Sequence, residues 1–115
     1  MEHAIVITMN HIEPEIAPQL RDYAERRLAF AVRRFQQQIR TLRVRLVDLN
    51  GPKRGIDARC SVIAELTNGR QLFVEATTAW PFRSVTEAAN RLTAALRRVS
   101  SCNEPFHVEW PSDAF

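Results

Sequence analysis

The sequence predicts an α+β domain in which a four-stranded β-sheet carries two helices on one face. Two stretches, residues 15–38 and 83–99, repeat apolar side chains at helical spacing. Other stretches alternate apolar and polar residues as half-buried strands do, and Asn68-Gly69 is a favoured pair for a tight hairpin turn. The resulting order is β-α-β-β-β-α, and placing both helices on one face of the sheet is the economical packing.

The first helix is predicted over residues 15 to about 38, after a short strand at residues 4–9. Pro14 suits a helix start, because proline's fixed φ favours the first helical turn and its missing N–H is not needed there. One apolar stripe runs along the helix. Its members are Ile16, Leu20, Ala24, Leu28, Ala31, Phe35 and Ile39.

Three further strands are predicted at residues 41–49, 59–67 and 70–77. The first of these places Leu42, Val44 and Leu46 on one face, with Arg43 and Arg45 on the other. The inward positions of the next are Cys60, Val62, Ala64 and Leu66. A right-handed crossover through the first helix should make the first two strands of the chain parallel.

The second helix is predicted over residues 83–99, after a break in the chain at Pro81. Its apolar stripe consists of Val85, Ala88, Ala89, Leu92, Ala95, Leu96 and Val99. Residues 101–115 contain two prolines and no clear periodicity. We therefore predict one domain at residues 1–100, followed by an irregular acidic tail at residues 101–115.

The basic residues are distributed unevenly along the chain. Fifteen of the sixteen are arginine, and Lys53 is the only lysine. Residues 1–100 hold 16 basic and 10 acidic residues, a net charge of +6, whereas residues 101–115 carry −3. A basic body with an acidic tail is consistent with a surface that binds a polyanion, and equally with a solvated surface rich in arginine.

Composition and motifs argue against an enzyme, a metalloprotein or a membrane protein. Nucleotide-binding, zinc-protease and hydrolase motifs are missing, and the three histidines are scattered. Asp48 and Asp57 flank a Gly-rich loop, where aspartate is an ordinary loop former. Cys60 and Cys102 lack metal spacing. We expect no cofactor, no small-molecule substrate and no membrane contact, and a cytoplasmic protein with reduced thiols.

The polar face of the first helix is the strongest functional signal. Arg26, Arg27, Arg33 and Arg34 lie on it at helical spacing. A guanidinium group binds phosphate through a planar fork of donors and stacks on bases. Phe30, in the middle of this face, could stack on an unpaired base, could contact a protein, or could be a lone exposed apolar residue. The alternative for the arginines is a solubilising face.

The second helix carries a smaller set of arginines. Arg91 and Arg98 share one flank of its polar side, and Arg97 lies near the other. Together with the first helix they predict binding of structured RNA through basic helix faces.

The chain also resembles a known family from about residue 4 to residue 99. The pieces that carry the resemblance are IEPEIAPQLRDYAERRLAFAVRRF in the first helix and VRLVDLNGPKRGIDARCSV in the strands that follow. The most specific part is the loop NGPKRGIDARC. These segments resemble the ribosome hibernation promoting factors, also called the ribosome-associated inhibitor family.

The resemblance implies the same β-α-β-β-β-α fold and a translation inhibitor of the cytoplasm. Such proteins lodge in the mRNA and tRNA channel of the 30S ribosomal subunit and contact 16S rRNA during stress. Arg27, Arg91 and Arg98 match basic positions on the family's helices, and Lys53, Arg54 and Arg59 match its basic loop. The chain also resembles the short form, without the C-terminal dimerisation domain.

The sequence departs from the family pattern at three places. Phe30 stands where lysine is usual, and Ala94 where a basic residue is frequent. Trp80-Pro81-Phe82 replaces a stretch with a capping Asp, so Thr77, Thr78 or Ser84 is expected to cap the second helix. A diverged protein-interaction or regulatory module of the same fold, with aromatic anchors at Phe30, Trp80 and Phe82, is the competing hypothesis.

Overall fold

The protein, described by a computed structural model over residues 4–49 and 57–101, has the predicted element order. The strands are β1 (Ala4–Asn10), β2 (Ile39–Asp48), β3 (Ala58–Leu66) and β4 (Gln71–Thr78). The α-helices are α1 (Ala17–Ala31) and α2 (Pro81–Ser101), and a 3₁₀ helix spans Arg33–Gln38.

The four strands form one sheet in the order β1-β2-β3-β4. β1 and β2 are parallel, as predicted for the crossover, with Ile7 opposite Val44. The other two pairings are antiparallel, and Val62 lies between Val44 and Val74. Alternation then sends one set of side chains into the core and the other to the face without helices.

The core lies between the sheet and the two helices. The inward positions predicted for β2 and β3 are all buried, because both strands turn their apolar residues to the helices. The helices contribute their own apolar stripes to the same cluster. Its fully buried leucines are Leu20, Leu28, Leu42, Leu46, Leu72, Leu92 and Leu96.

The first helix is shorter than predicted. α1 ends at Ala31, and the chain continues as a 3₁₀ helix that is kinked at Phe35, where φ is −119° and ψ is 17°. Val32 and Phe35 are buried by this turn, and Ile39 is buried as the first residue of β2. Residues 36–38 are exposed glutamines, so no apolar side chain holds a further α-helical turn against the core.

The second helix begins earlier than predicted. Pro81 does not break the chain before the helix but is its first residue, where a missing N–H costs nothing. Thr78 Oγ1 accepts a hydrogen bond from the Trp80 N–H at 3.2 Å and lies 2.8 Å from Ser84 Oγ. Ser84 is buried and donates to the main-chain oxygen of Ala58 on β3 at 2.6 Å. The start of α2 is thereby tied to the sheet.

Both outer strands of the sheet accept a hydrogen bond from a helix arginine. Arg21 Nη1 on α1 donates to the main-chain oxygen of Ile7 in β1 at 3.3 Å. Arg91 Nη1 on α2 donates to the main-chain oxygen of Glu75 in β4. Unpaired main-chain groups at a sheet edge can pair with another chain, so these guanidinium groups protect the middle of each edge strand.

The hydroxyl of Ser84 should contribute measurably to stability. We expect Ser84→Ala to lower the free energy of unfolding by about 1–3 kcal/mol, because the substitution leaves the buried Ala58 carbonyl without its donor. Urea denaturation measures the change. Thr67→Ala, which removes an exposed hydroxyl, is the control and should stay within about 0.5 kcal/mol of the wild type. Equal effects of the two substitutions would contradict this assignment.

The thiol of Cys60 should make stability fall at alkaline pH. Burial raises the pKa of Cys60 from 9.0 to about 12, so above pH 9 the thiol ionises in the unfolded chain but stays protonated in the folded one. Relative to Cys60→Ala, the free energy of unfolding of the wild type should drop by about 1.4 kcal/mol between about pH 8 and about pH 10. Parallel pH profiles of the two proteins would refute the pKa shift.

Candidate nucleic-acid interface

A groove opens between the C-terminal part of α1, the 3₁₀ helix and α2. Its volume is about 390 Å³. Its lining residues are Arg27, Phe30, Ala31, Arg33, Arg34, Phe35, Asn90, Thr93, Ala94 and Arg97. Five of them were predicted to bind RNA, namely Arg27, Phe30, Arg33, Arg34 and Arg97.

Polar contacts between the helices fix the width of this groove. Arg27 Nη2 on α1 donates to Asn90 Oδ1 on α2 at 2.6 Å. Thr93 Oγ1 lies 3.1 Å from the main-chain oxygens of Ala31 on α1 and Ala89 on its own helix. Ala31 and Ala89 are buried beneath these contacts. The groove is therefore part of the packed helix pair rather than a gap between loose side chains.

The charge of the groove is uniformly positive. Among the residues that the structure describes, its lining includes four arginines and no carboxylate. Guanidinium groups stay charged at every physiological pH and offer donors only. Arg34 has no ion pair or hydrogen bond with any other residue of the described ranges. An anion entering the groove would meet several guanidinium groups at once.

Phe30 stands at the rim of the groove with two guanidinium groups beside its ring. Its side chain is 57% exposed. Arg33 Cζ lies 4.0 Å from the ring centroid and Arg27 Cζ 5.9 Å from it, both within cation–π range. Arg33 Nη1 also donates to the main-chain oxygen of Phe30 at 3.0 Å. The Arg33 guanidinium thus makes both a cation–π contact and a hydrogen bond with Phe30.

The other predicted residues lie elsewhere. Arg26 does not line the groove but is paired with Asp22 at 2.7 Å, an exposed i,i+4 contact. Arg91 is held at the edge of β4, and Arg98 is exposed on α2 outside the groove. Arg59 is half-buried in β3, and its Nε finds no partner among the described residues. Lys53 and Arg54 lie outside the residues that the structure describes.

Asn90 and Thr93 line the groove but were not among the predicted site residues. They precede Arg97 by seven and four positions, so all three lie on one side of α2. The spacing alone could have grouped Asn90 and Thr93 with Arg97. Their place in the groove, however, depends on α1 lying alongside α2, which the spacing does not predict. Ala94 lines the same groove, so two of the departures from the family pattern, Phe30 and Ala94, meet in one place.

Other kinds of site find little support in the described part of the chain. Within residues 4–49 and 57–101, no three His, Cys, Asp or Glu side chains lie close enough together to hold a metal ion. None of the helices described there is long and apolar enough to cross a membrane. Trp80 is 46% exposed and stacks on Phe82, with the ring centroids 5.4 Å apart.

Two solved structures share this fold. The crystal structure of the Thermus thermophilus Protein Y N-terminal domain matches with a TM-score of 0.66 and 25% identity, over 86% of this chain and 99% of that one. A ribosomal subunit interface protein from Coxiella burnetii matches with a TM-score of 0.70 over the same shares, 86% and 99%. Its identity is 16%, so that likeness supports the fold alone. No curated protein matches the chain.

The family model for Sigma 54 modulation protein / S30EA ribosomal protein matches residues 5–101. The match runs from β1 to the end of α2 and so includes the sheet and both helices that line the groove. The family comprises ribosome-associated factors and is not a known class of enzymes. The chain therefore belongs to the Sigma 54 modulation protein / S30EA ribosomal protein family.

Proposed function

We propose that this protein binds 16S rRNA of the 30S ribosomal subunit through the groove between α1 and α2, and so inhibits translation on idle ribosomes. The observation that carries the proposal is the convergence of Arg27, Arg33, Arg34 and Arg97 on one groove, whose lining within the described ranges has no carboxylate. Membership of a ribosome-associated family supports the ribosome as the source of the RNA. A protein of this kind acts in the cytoplasm, where stress leaves ribosomes idle.

The chemistry of the groove suits a phosphate backbone. Each arginine that neutralises a phosphate releases condensed counterions, so affinity depends steeply on salt. Bidentate guanidinium–phosphate contacts are also geometrically specific. Arg27 is oriented by Asn90, and Arg33 by the main-chain oxygen of Phe30. Two of the four guanidinium groups in the groove are therefore positioned before RNA binds, and this reduces the conformational entropy lost on binding.

The mRNA and tRNA channel is the expected location, since its walls are RNA. Occupying that channel would exclude mRNA and tRNA without any chemical step, so the mechanism requires neither a catalytic residue nor a cofactor. Residues outside the groove would add peripheral contacts. These are Arg26, Lys53, Arg54, Arg59, Arg91 and Arg98.

A protein-interaction module is the competing function, and one observation favours it. Trp80 remains 46% exposed beside Phe82. It lies just before the N-terminal end of α2, whereas Arg97 lies near the C-terminal end of that helix. Exposed aromatic residues are common anchors of protein interfaces. Under this alternative the arginines of the groove would have no special importance for ribosome association.

The two functions differ in what a pair of groove substitutions does to ribosome association. We expect Arg34→Gln with Arg97→Gln to weaken binding to 30S subunits at least about tenfold in low salt, and to make the slope of log K against log salt shallower by about two. Sedimentation of purified protein with 30S subunits at several salt concentrations measures both quantities.

The matched control is Arg43→Gln with Arg45→Gln. It removes the same charge from the helix-free face of the sheet, where both residues lie on β2, and should change binding less than about threefold. Equal losses of affinity for 30S subunits in the two double variants would mean that the net charge of the protein, and not the groove, governs binding. Failure of the wild type to sediment with ribosomal subunits at low salt would reject the proposed function.

A further inference from the structure

We propose that the groove holds one unpaired nucleotide of an RNA strand, with its base stacked on Phe30. The proposal rests on the proposed function and specifies which part of the RNA enters the groove. The shape of the groove, the exposed aromatic ring and a free amide group support it.

The first argument concerns size. A groove of about 390 Å³ is at the lower end of the range for small-molecule sites, roughly 300–1,000 Å³. One nucleotide suits such a space, whereas an RNA duplex could touch only its rim. Binding phosphates alone would need no concave surface, since exposed arginines on a flat helix face would serve.

The second argument concerns Phe30. Proteins that bind single strands combine a basic groove with aromatic side chains on which bases stack. Phe30 has this arrangement, because its ring is 57% exposed and lies among Arg27, Arg33 and Arg34. Arg33 Cζ lies 4.0 Å from the centroid of the ring, so a base stacked on the exposed part of the ring would lie beside a positive charge. The protein side chains would therefore lose little conformational freedom when a base binds.

The third argument concerns α2, which faces Phe30 across the groove. Asn90 uses Oδ1 to accept from Arg27, and no described residue accepts from its Nδ2. That amide can therefore donate to an acceptor on a base edge. Ala94, also in the lining, leaves space on the α2 side where a long side chain would fill the groove. The groove therefore brings together an aromatic ring, an amide donor without an acceptor among the described residues, and open space.

Binding of short RNAs tests the stacking directly. The probes are a fluorescently labelled hexanucleotide of alternating adenosine and cytidine, and an RNA duplex with the same number of phosphates. Anisotropy in low salt gives both affinities for the wild type, Phe30→Ala and Phe30→Tyr. Circular dichroism verifies that the variants fold, as expected for an exposed position.

We expect Phe30→Ala to weaken binding of the single strand by about fivefold to 150-fold, the range for loss of one aromatic stacking contact. Binding of the duplex should change less than about twofold. Phe30→Tyr keeps an aromatic plane and should bind the single strand within about threefold of the wild type.

Three results would overturn the proposal. One is an equal effect of Phe30→Ala on single strand and duplex, or none on either. Another is a loss in Phe30→Tyr as large as in Phe30→Ala. The third is displacement of the hexanucleotide by a polyglutamate peptide of equal charge as effectively as by unlabelled RNA, since an acidic protein segment would then fit the groove equally well.

Failure here is distinguishable from failure of the proposed function. If Phe30→Ala leaves RNA binding unchanged while the Arg34 and Arg97 substitutions still weaken 30S association as expected, only the stacked nucleotide is rejected. If the wild type ignores ribosomal subunits, the proposed function is rejected whatever the hexanucleotide does.

Discussion

The packing of α2 against both the sheet and α1 is the constraint on which the rest of the structure depends. One side of α2 buries Val85 and Leu92 against β3 and β4, and small residues such as Ala89 let α1 approach closely. α1 buries its own apolar stripe in the same core. The buried Ser84–Ala58 hydrogen bond fixes where α2 begins. This arrangement determines the position and width of the groove, because the groove lies directly above the contact between α1 and α2.

The same dependence explains which parts of the fold could be predicted from the sequence. Alternation along β2 and β3 identifies their inward faces, since a strand has only two sides and the core selects one. The end of the first helix could not be found this way. Phe35 and Ile39 continue the helical spacing of α1 and are buried, yet a 3₁₀ helix and a strand bury them. Periodicity reports that a residue faces the core, and it does not report which backbone conformation brings it there.

The sequence predicted the chemistry of the candidate site, a cluster of arginines around Phe30, better than it predicted which residues line the groove. A helical wheel groups Arg26 with Arg27, Arg33 and Arg34, but it carries no information about the element that runs alongside. Only the side nearest α2 becomes a groove, so Arg26 falls outside it and pairs with Asp22 instead. Asn90 was overlooked for the complementary reason. Its amide matters because Arg27 of the neighbouring helix bonds to it, and that contact joins residues far apart in the chain.

Arginine performs two distinct tasks in this protein, and composition cannot separate them. Arg21 and Arg91 donate to main-chain carbonyls of the edge strands, where a guanidinium group serves the sheet. Arg27 donates to Asn90 and Arg33 to the main-chain oxygen of Phe30, and the lining that they share with Arg34 includes no carboxylate among the described residues. Four like charges in one groove repel each other, and nearby acids would relieve that repulsion at little structural cost. Among the residues that the structure describes, the lining of the groove holds no acid, whereas Asp22 and Arg26 pair on the exposed surface of α1. This distribution of charge agrees with the anionic ligand proposed above.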